Sequence, residues 1–261
     1  MNSLINFSDL TFLIPFRQDS LERLENIILV TEFLIGNFRT NIKVFECAPY
    51  NNGLLEKLLD KTIQYDFLED NDPILFRTKY INQMVREADT PFVSIWDIDA
   101  IAPVPQIVKA LELLRTGEAD FVYPYEKLFL DTSPIFRKLY VQERKIEILE
   151  QNMKKMKEMY PPNPVGGGFL ASLKAYKEVG IENENFYGWG LEDGERYYRW
   201  ENLGYKVKRI AGTMFHISHT RGLNSGFHNA DQVYIKNKEI TRVIRSKSVD
   251  CTPLSNQQIT F

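Results

Sequence analysis

Short apolar runs alternate with stretches of helical periodicity through the first 125 residues, and this alternation constrains the fold more than any other feature. Leu10 to Phe16 is an apolar run, followed by Asp19-Ser20 and then Leu21, Leu24, Ile28, Thr31 and Ile35 at helical spacing, so a strand feeds a helix. Asp19 is placed to cap that helix, with Glu22 reaching back as in a capping box. Strands are predicted at residues 41–48 and 63–68, with a weaker helix at 54–59 between them. Residues 73–88 read as a helix that delivers the chain into Phe92-Val93-Ser94-Ile95-Trp96, a buried strand closed by Asp97-Ile98-Asp99. A helix after Pro103 runs to about Arg115, and residues 119–124 give a further strand. Such a rhythm builds an α/β sheet flanked by helices, and ligands of these sheets bind beyond the carboxyl ends of the strands.

The rhythm breaks at Ser133. From there to Tyr160, Ile135, Leu139, Ile146, Leu149, Met153, Met156 and Tyr160 recur at three and four residues, which predicts a long amphipathic helix or helix pair. This segment holds seven Lys/Arg and four Glu, a surplus of +3 inside a chain whose overall charge is -3. Its bland reading is a solvated helix packing one stripe on the sheet; docking on anionic lipid or on a second copy of the chain are the sharper ones. Pro161-Pro162-Asn163-Pro164 stops the helix, and Val165-Gly166-Gly167-Gly168-Phe169 allows close approach of backbone or ligand. Beyond lie a short helix at 172–179, an aromatic and glycine-rich loop at 186–190, a helix opening at Glu192-Asp193, strands near 205–210 and 213–218, and a terminal helix with Val233, Ile240, Val243 and Ile244. No repeat or change of composition calls for a second domain.

With Lys+Arg 32 against Asp+Glu 35, the chain lacks the basic surplus that non-specific nucleic-acid binding uses, so no nucleic-acid partner is expected. Cys47 and Cys251 are its two cysteines, which excludes a cysteine-built zinc module and argues against a disulfide-stapled secreted design. The N-terminus has no basic region or cleavage pattern, and the longest apolar stretch, Ile27 to Ile35, is broken by Thr31 and Glu32. A soluble cytoplasmic protein is the expectation.

Three constellations carry chemistry. In an extended chain residues i and i+2 share a face, so Asp97 and Asp99 point together beyond a buried strand and repel unless a cation joins them; two solvated acids in a turn are the plain alternative. His216 and His219, two of the chain's three histidines, lie three residues apart at a predicted strand end, and Asp–His–His is a sensible first shell for Mn²⁺ or a similar divalent ion. The remaining histidine, His228, reads as a bystander. Finally, Phe186-Tyr187-Gly188-Trp189-Gly190-Leu191-Glu192-Asp193 sets a large ring beside glycines, suited to stacking on the apolar face of a sugar, with paired acids at a helix N-terminus. A tryptophan that plugs the core and acids that complement a helix dipole are the alternative.

These residues together resemble the β-1,4-galactosyltransferases and their bacterial relatives, inverting glycosyltransferases of the GT-A fold. Ile14-Pro15-Phe16-Arg17 looks like the family's P-F-R, Phe76-Arg77-Thr78-Lys79 its F-N-R-A-K segment, and Asp97-Ile98-Asp99 its D-V-D. Gly167-Gly168 and Gly188-Trp189-Gly190-Leu191-Glu192-Asp193 resemble its G-G and G-W-G-G-E-D, and His216 to Arg221 its M-x-x-H-x-R. The resemblance spans most of residues 10–222. It departs where His216 replaces a methionine ligand, where Leu191 replaces the second glycine, and near Val165, where the family has a bulky aromatic and an N-acetylated donor is therefore admissible.

The resemblance implies one domain over residues 1–261: a nucleotide-binding half at 1–125, a helical insertion at 131–160, an acceptor and catalytic half at 161–222, and a C-terminal helix and tail at 223–261. It implies a UDP-sugar donor, a hexose or N-acetylhexosamine of the Gal/GalNAc type, and a glycan or lipid-linked glycan acceptor, in polysaccharide biosynthesis. Asp99, His216 and His219 would bind Mn²⁺ or another divalent cation, Asp193 would be the base and Glu192 would bind the acceptor hydroxyl. Pro15, Phe16, Arg17, Arg77, Asp97, Gly167, Gly168, Trp189 and Gly190 would hold the donor, with Asp97 near the ribose or behind the ligands. A nucleotidyltransferase would share the sheet and acidic site but usually opens with a glycine-rich, lysine-bearing loop that Pro15-Phe16-Arg17 lacks. A non-catalytic carbohydrate-binding protein would keep the aromatic loop without needing metal and base together.

Overall fold

The computed structural model describes residues 3–227 and 229–246. Strand β1 (Ile5–Phe16) leads through α1 (Leu21–Asn37) into β2 (Phe38–Ala48), and α2 (Leu54–Leu58) precedes β3 (Gln64–Glu69). After α3 (Arg77–Glu87) come β4 (Phe92–Trp96), the short β5 (Ala100–Ile101), α4 (Val104–Arg115), β6 (Phe121–Tyr123) and β7 (Leu128–Asp131). The basic segment contains α5 (Pro134–Glu143), α6 (Glu147–Gln151) and β8 (Lys157–Glu158). It is followed by β9 (Gly168–Ser172), α7 (Leu173–Glu178), α8 (Glu192–Asn202), β10 (Val207–Arg209), β11 (Thr213–His216) and α9 (Ala230–Arg245).

A seven-stranded sheet runs in the order β10-β6-β9-β4-β1-β2-β3. Its contacts are parallel except at β9, which is antiparallel to both β4 and β6. Because β9 runs backwards, its glycine-rich start lies at the carboxyl end of β4, with Gly168 opposite Trp96. That register brings Trp96 and Gly168, 72 positions apart, to one place. A Cβ at Gly168 would stand 2.7 Å from the Trp96 ring, so the strands approach this closely only with glycine there. The second sheet, β5-β11-β7-β8, pairs His216 with Ala100 on one side and with Asp131 on the other. It carries the end of the chain's D-x-D segment directly alongside the histidine strand.

The core lies on both faces of the large sheet. Val93, Ser94, Ile95 and Trp96 are buried, which is why β4 reads as a continuous run without alternation. On the other side of β9, Phe121 stacks on Trp200 with ring centroids 3.8 Å apart, and Phe169 and Tyr176 close around them. Trp200 thereby anchors α8 to the sheet. Full burial of a side chain of this size contributes roughly 1.5–3 kcal/mol or more.

Several expectations are corrected. The cap of α1 is Ser20, whose hydroxyl accepts from the Arg23 amide at 3.2 Å, while Asp19 lies one residue too early and pairs with Arg23 Nε at 3.1 Å. Of the two expectations for residues 133–160 the helix pair holds and the single long helix does not: α5 is capped at Arg144 in the left-handed region (φ 56°), α6 follows, and the segment returns to β8, paired with β7. Its apolar spacing reflects two short helices and a strand edge that bury different faces. Ile135 and Leu139 remain exposed, and Arg137 and Arg144 are drawn back to Glu25 and Glu32 on α1. Strands β7 and β9 were not legible, being short and glycine- or turn-flanked without alternation.

Cys47 is buried, and burial pushes its thiol up to about 12, so it is inert. Cys251 and His228 lie outside the described residues. Among the described residues, no helix is long and apolar enough to cross a membrane.

Candidate active site

The carboxyl ends of β1 and β4 open into a cleft of about 450 Å³ whose wall includes Arg77, Asp97, Asp99, Trp189, Glu192, Asp193, His216 and His219. Two clusters of different character occupy it.

At one end, Asp99 Oδ2 is 3.2 Å from His219 Nε2 and 3.7 Å from His216 Nε2, and one ligand atom from each residue lies within 4.8 Å of the others. The second sheet sets this geometry, since the Ile217 amide donates to the Asp99 carbonyl at 2.6 Å. His216 Nδ1 donates to Asp131 at 2.7 Å and His219 Nδ1 donates to the Thr220 carbonyl at 2.9 Å. Both rings are thus oriented with Nε2 toward Asp99, the usual support for imidazole ligands. Burial opposes charge at Asp99, but His216, His219 and Arg23 outweigh it and hold the carboxyl far below the ordinary range. Burial likewise opposes charge at His216, and Asp99 and Asp131 overcome it, raising its affinity for protons. Two imidazoles and one carboxylate held ready by opposite charge fit a borderline divalent cation such as Mn²⁺.

At the other end, Leu191 adopts φ 72° and ψ -15° and turns the loop into α8, so Glu192 and Asp193 occupy the first helical turn. A leucine holds the backbone conformation that the second glycine of the resembled motif would adopt without strain. Arg196 is fully buried against the Phe169 ring, 4.5 Å from its centroid, and grips both Glu182 oxygens at 3.1 and 3.0 Å. Its other nitrogen donates to Asp193, fixing that carboxylate at the cleft floor beside Gly166. Burial pushes the Asp193 carboxyl up, against the pull of Arg196 and Arg77. Glu192 is driven further, to about 7, by burial and by the neighbouring Asp193, with Arg77 and Lys236 opposing. Its Oε2 is buried without a hydrogen-bond partner among the described residues.

In the same cleft, Arg77 Nη2 pairs with Asp97 at 2.5 Å, while Nη1 is buried and unpartnered among the described residues. Asp97 therefore belongs with Arg77, outside the Asp99–His216–His219 group. The Asp97 amide donates to the Gly167 carbonyl at 2.9 Å. Gly167 itself has φ 82°, and a Cβ there would stand 2.6 Å from Met214 Sδ, so any side chain would be strained and would have to displace Met214 and Phe129. Pro15, Trp189 and Gly190 also line the cleft.

Three expected donor-binding residues are not brought to the cleft wall. Phe16 is fully buried in the core, and Gly168 is consumed by packing on Trp96. Arg17 is buried with its guanidinium donating to the Cys47, Asp70 and Asp72 carbonyls and to the Asp70 carboxylate, which makes it a tie between strand ends.

Residue-level reading also missed partners. Asp131 supports His216 from a parallel strand 85 positions away, and Arg196 supports Asp193 from the next helical turn, where i,i+3 spacing was the available signal. Arg23 lines the cleft, held through Nε by Asp19, and Arg221 lines it while donating to the Tyr160 hydroxyl at 3.2 Å.

Residues 147–221 match the protein family described as the N-terminal domain of galactosyltransferase, a span that includes residues 189–193, His216 and His219 and leaves Arg77 and Asp97–Asp99 outside it. No curated protein matches the sequence. Among solved structures, the chain is similar to the catalytic domain of Drosophila β1,4-galactosyltransferase 7 in complex with xylobiose: TM-score 0.52, 19% identity, 90% of this chain and 80% of that one covered. A mutant of that enzyme in complex with manganese, UDP-Gal and xylobiose gives a TM-score of 0.51 at 18% identity, over 89% of this chain and 79% of the other. Glucosyl-3-phosphoglycerate synthase from Mycobacterium tuberculosis, in complex with Mn²⁺, UDP and phosphoglyceric acid, gives 0.50 at 15% identity, over 95% and 80%. The mixed central sheet flanked by helices is the GT-A glycosyltransferase fold.

Proposed function

We propose that the chain is a metal-dependent inverting glycosyltransferase that moves a hexose or N-acetylhexosamine of the Gal/GalNAc type from a UDP-sugar to a hydroxyl of a glycan or lipid-linked glycan. One observation carries this reading: a triad of ligand-type side chains, a buried acid pair and Arg77 line one cleft. The solved relatives named above, with UDP or UDP-Gal and manganese, make the donor and metal class concordant.

Asp99, His216 and His219 would hold the divalent cation, which when bound supplies positive charge to a departing diphosphate. The triad contributes a single carboxylate, so such a site retains positive charge. Arg77 offers its free nitrogen, and Arg23 and Arg221 offer further cationic charge, to the same phosphates. Asp193 accepts the proton of the acceptor hydroxyl; burial raises its basicity, and Arg196 keeps it in place. Glu192 holds an acceptor hydroxyl, and Trp189 stacks on the apolar face of a sugar. Attack opposite the diphosphate inverts the anomeric centre.

Thermal shift with a panel of UDP-sugars, with and without Mn²⁺, followed by transfer assays on the stabilising donor, tests the proposal. Stabilisation that requires both metal and one UDP-sugar is expected, because ligand that binds only the folded state raises its stability. No stabilisation and no turnover with any UDP-sugar in Mn²⁺ would overturn it.

A further inference from the structure

The C-terminal helix α9 lies beyond both the matched segment and the motifs, yet one of its residues reaches the catalytic loop. Lys236 is 2% exposed on the face of α9 that packs on α8. Its ammonium donates to the Trp189 carbonyl at 2.7 Å and sits 5.6 Å from the centroid of the Phe227 ring. Phe227 in turn stands edge-on to Trp189, with centroids 5.3 Å apart, and leaves so little room that a Cβ on Gly190 would meet it at 2.9 Å. The turn Gly188-Trp189-Gly190 has left-handed backbone at both glycines, at φ 69° and φ 102°, and Leu191 continues at φ 72°. Lys236 and Phe227, both from outside the loop, meet this strained run at Trp189 and Gly190. An ammonium is also costly to bury: burial lowers its proton affinity, and the nearby Glu192 opposes that fall. A lysine kept there at that cost has a task that an apolar residue would not perform.

We propose that Lys236 is a positioning residue for the catalytic loop: its hydrogen bond to the Trp189 carbonyl, backed by Phe227, holds the indole over the cleft and the start of α8 in register for Glu192 and Asp193. Residues outside the galactosyltransferase-like segment thereby complete the site. The catalytic consequence rests on the glycosyltransferase reading; the conformational one does not.

Fluorescence separates the two. Trp96 and Trp200 are fully buried, so among the three tryptophans Trp189 dominates quenching by acrylamide. Lys236→Met fills the side chain's volume without a donor, and Lys236→Leu repeats the change with another shape, so the decision does not hang on one variant's folding. Either variant that melts cooperatively is expected to show a Stern–Volmer constant raised about 2-fold or more. In UDP-sugar turnover, kcat should fall about 10-fold or more while the KM for the Mn²⁺–UDP-sugar changes less, as for an interaction that orders the reacting geometry. Lys236→Arg, which keeps a donor and a charge, should recover much of both. Unchanged quenching in a folded variant overturns the proposal. Changed quenching in a protein with no UDP-sugar activity would leave the positioning intact and sink the glycosyltransferase reading instead.

Discussion

At one end of the cleft the three ligand-type side chains come from β4's exit, the last residue of β11 and the loop after it; at the other, Glu192 and Asp193 are consecutive residues on one helix. The first cluster is assembled by strand register, and its charges complement one another, so Asp99 stays ionised between two histidines. The second is assembled locally in a buried place: burial pushes both carboxyls toward the neutral form, helped at Glu192 by the adjacent Asp193 and at Asp193 by Asp97. A site that must attract a cation is built by gathering opposite charge. The acid pair is built by withholding water, with Arg196 holding Asp193 in place while Glu192 Oε2 has no hydrogen-bond partner among the described residues.

Substitutions that touch only one end break or sharpen this contrast. The largest effect is expected from Asp193→Asn, which removes the proposed base while keeping its shape. Transfer should fall about 10³-fold, measured by product formation, with UDP affinity in Mn²⁺ nearly unchanged. Retained turnover would show that the acid end is structural. Asp131→Asn acts on the other end through His216 and should weaken Mn²⁺ binding about 10- to 100-fold by titration calorimetry. If Mn²⁺ affinity does not move, the register-built cluster has no ligand function.

Stability as a function of pH isolates the acid pair. The Glu192 carboxyl ionises near 4.5 in an unfolded chain and at about 7 in the fold, so between those values the folded protein holds a proton the unfolded chain has lost. Stability should therefore fall as pH rises from about 4.5 to about 7 and level off above, by roughly 3 kcal/mol. Glu192→Gln should abolish this part of the slope in urea melts; parallel profiles for parent and variant would count against the desolvated acid. The smallest effect is expected from Leu191→Gly. Relief of a left-handed leucine, less the extra freedom glycine gains on unfolding, leaves a gain of roughly 0.5 kcal/mol, or about 1–2 °C in Tm. A loss of stability would mean that the leucine side chain's packing outweighs the strain.

The contrast also explains what could be read early. Trp189 to Asp193 form one string, so their meeting needed only the chain itself, and the helix opening at Glu192 is where the spacing placed it. Asp99 and the histidines were legible as residue types that a divalent ion would choose. Arg17, by contrast, is expected at the donor only through the resemblance of Pro15-Phe16-Arg17 to P-F-R, but the carbonyls of Cys47, Asp70 and Asp72 claim its guanidinium. Nothing in the neighbouring residues announces that claim, because its partners arrive from β2 and the loop after β3.

Periodicity along the chain, together with contiguous motifs, determined the α/β class, the β1–β4 alternation and the acid pair, since each depends on residues within a few turns or strands of one another. Tertiary structure alone decided the reversed β9 that seats Gly168 on Trp96, the parallel register that gives His216 its Asp131, and the reach of Lys236 from α9 to Trp189. Those contacts join residues from 47 to 85 positions apart in sequence. Pairings at that range are selected by the packing of whole elements, which no local pattern of side chains encodes.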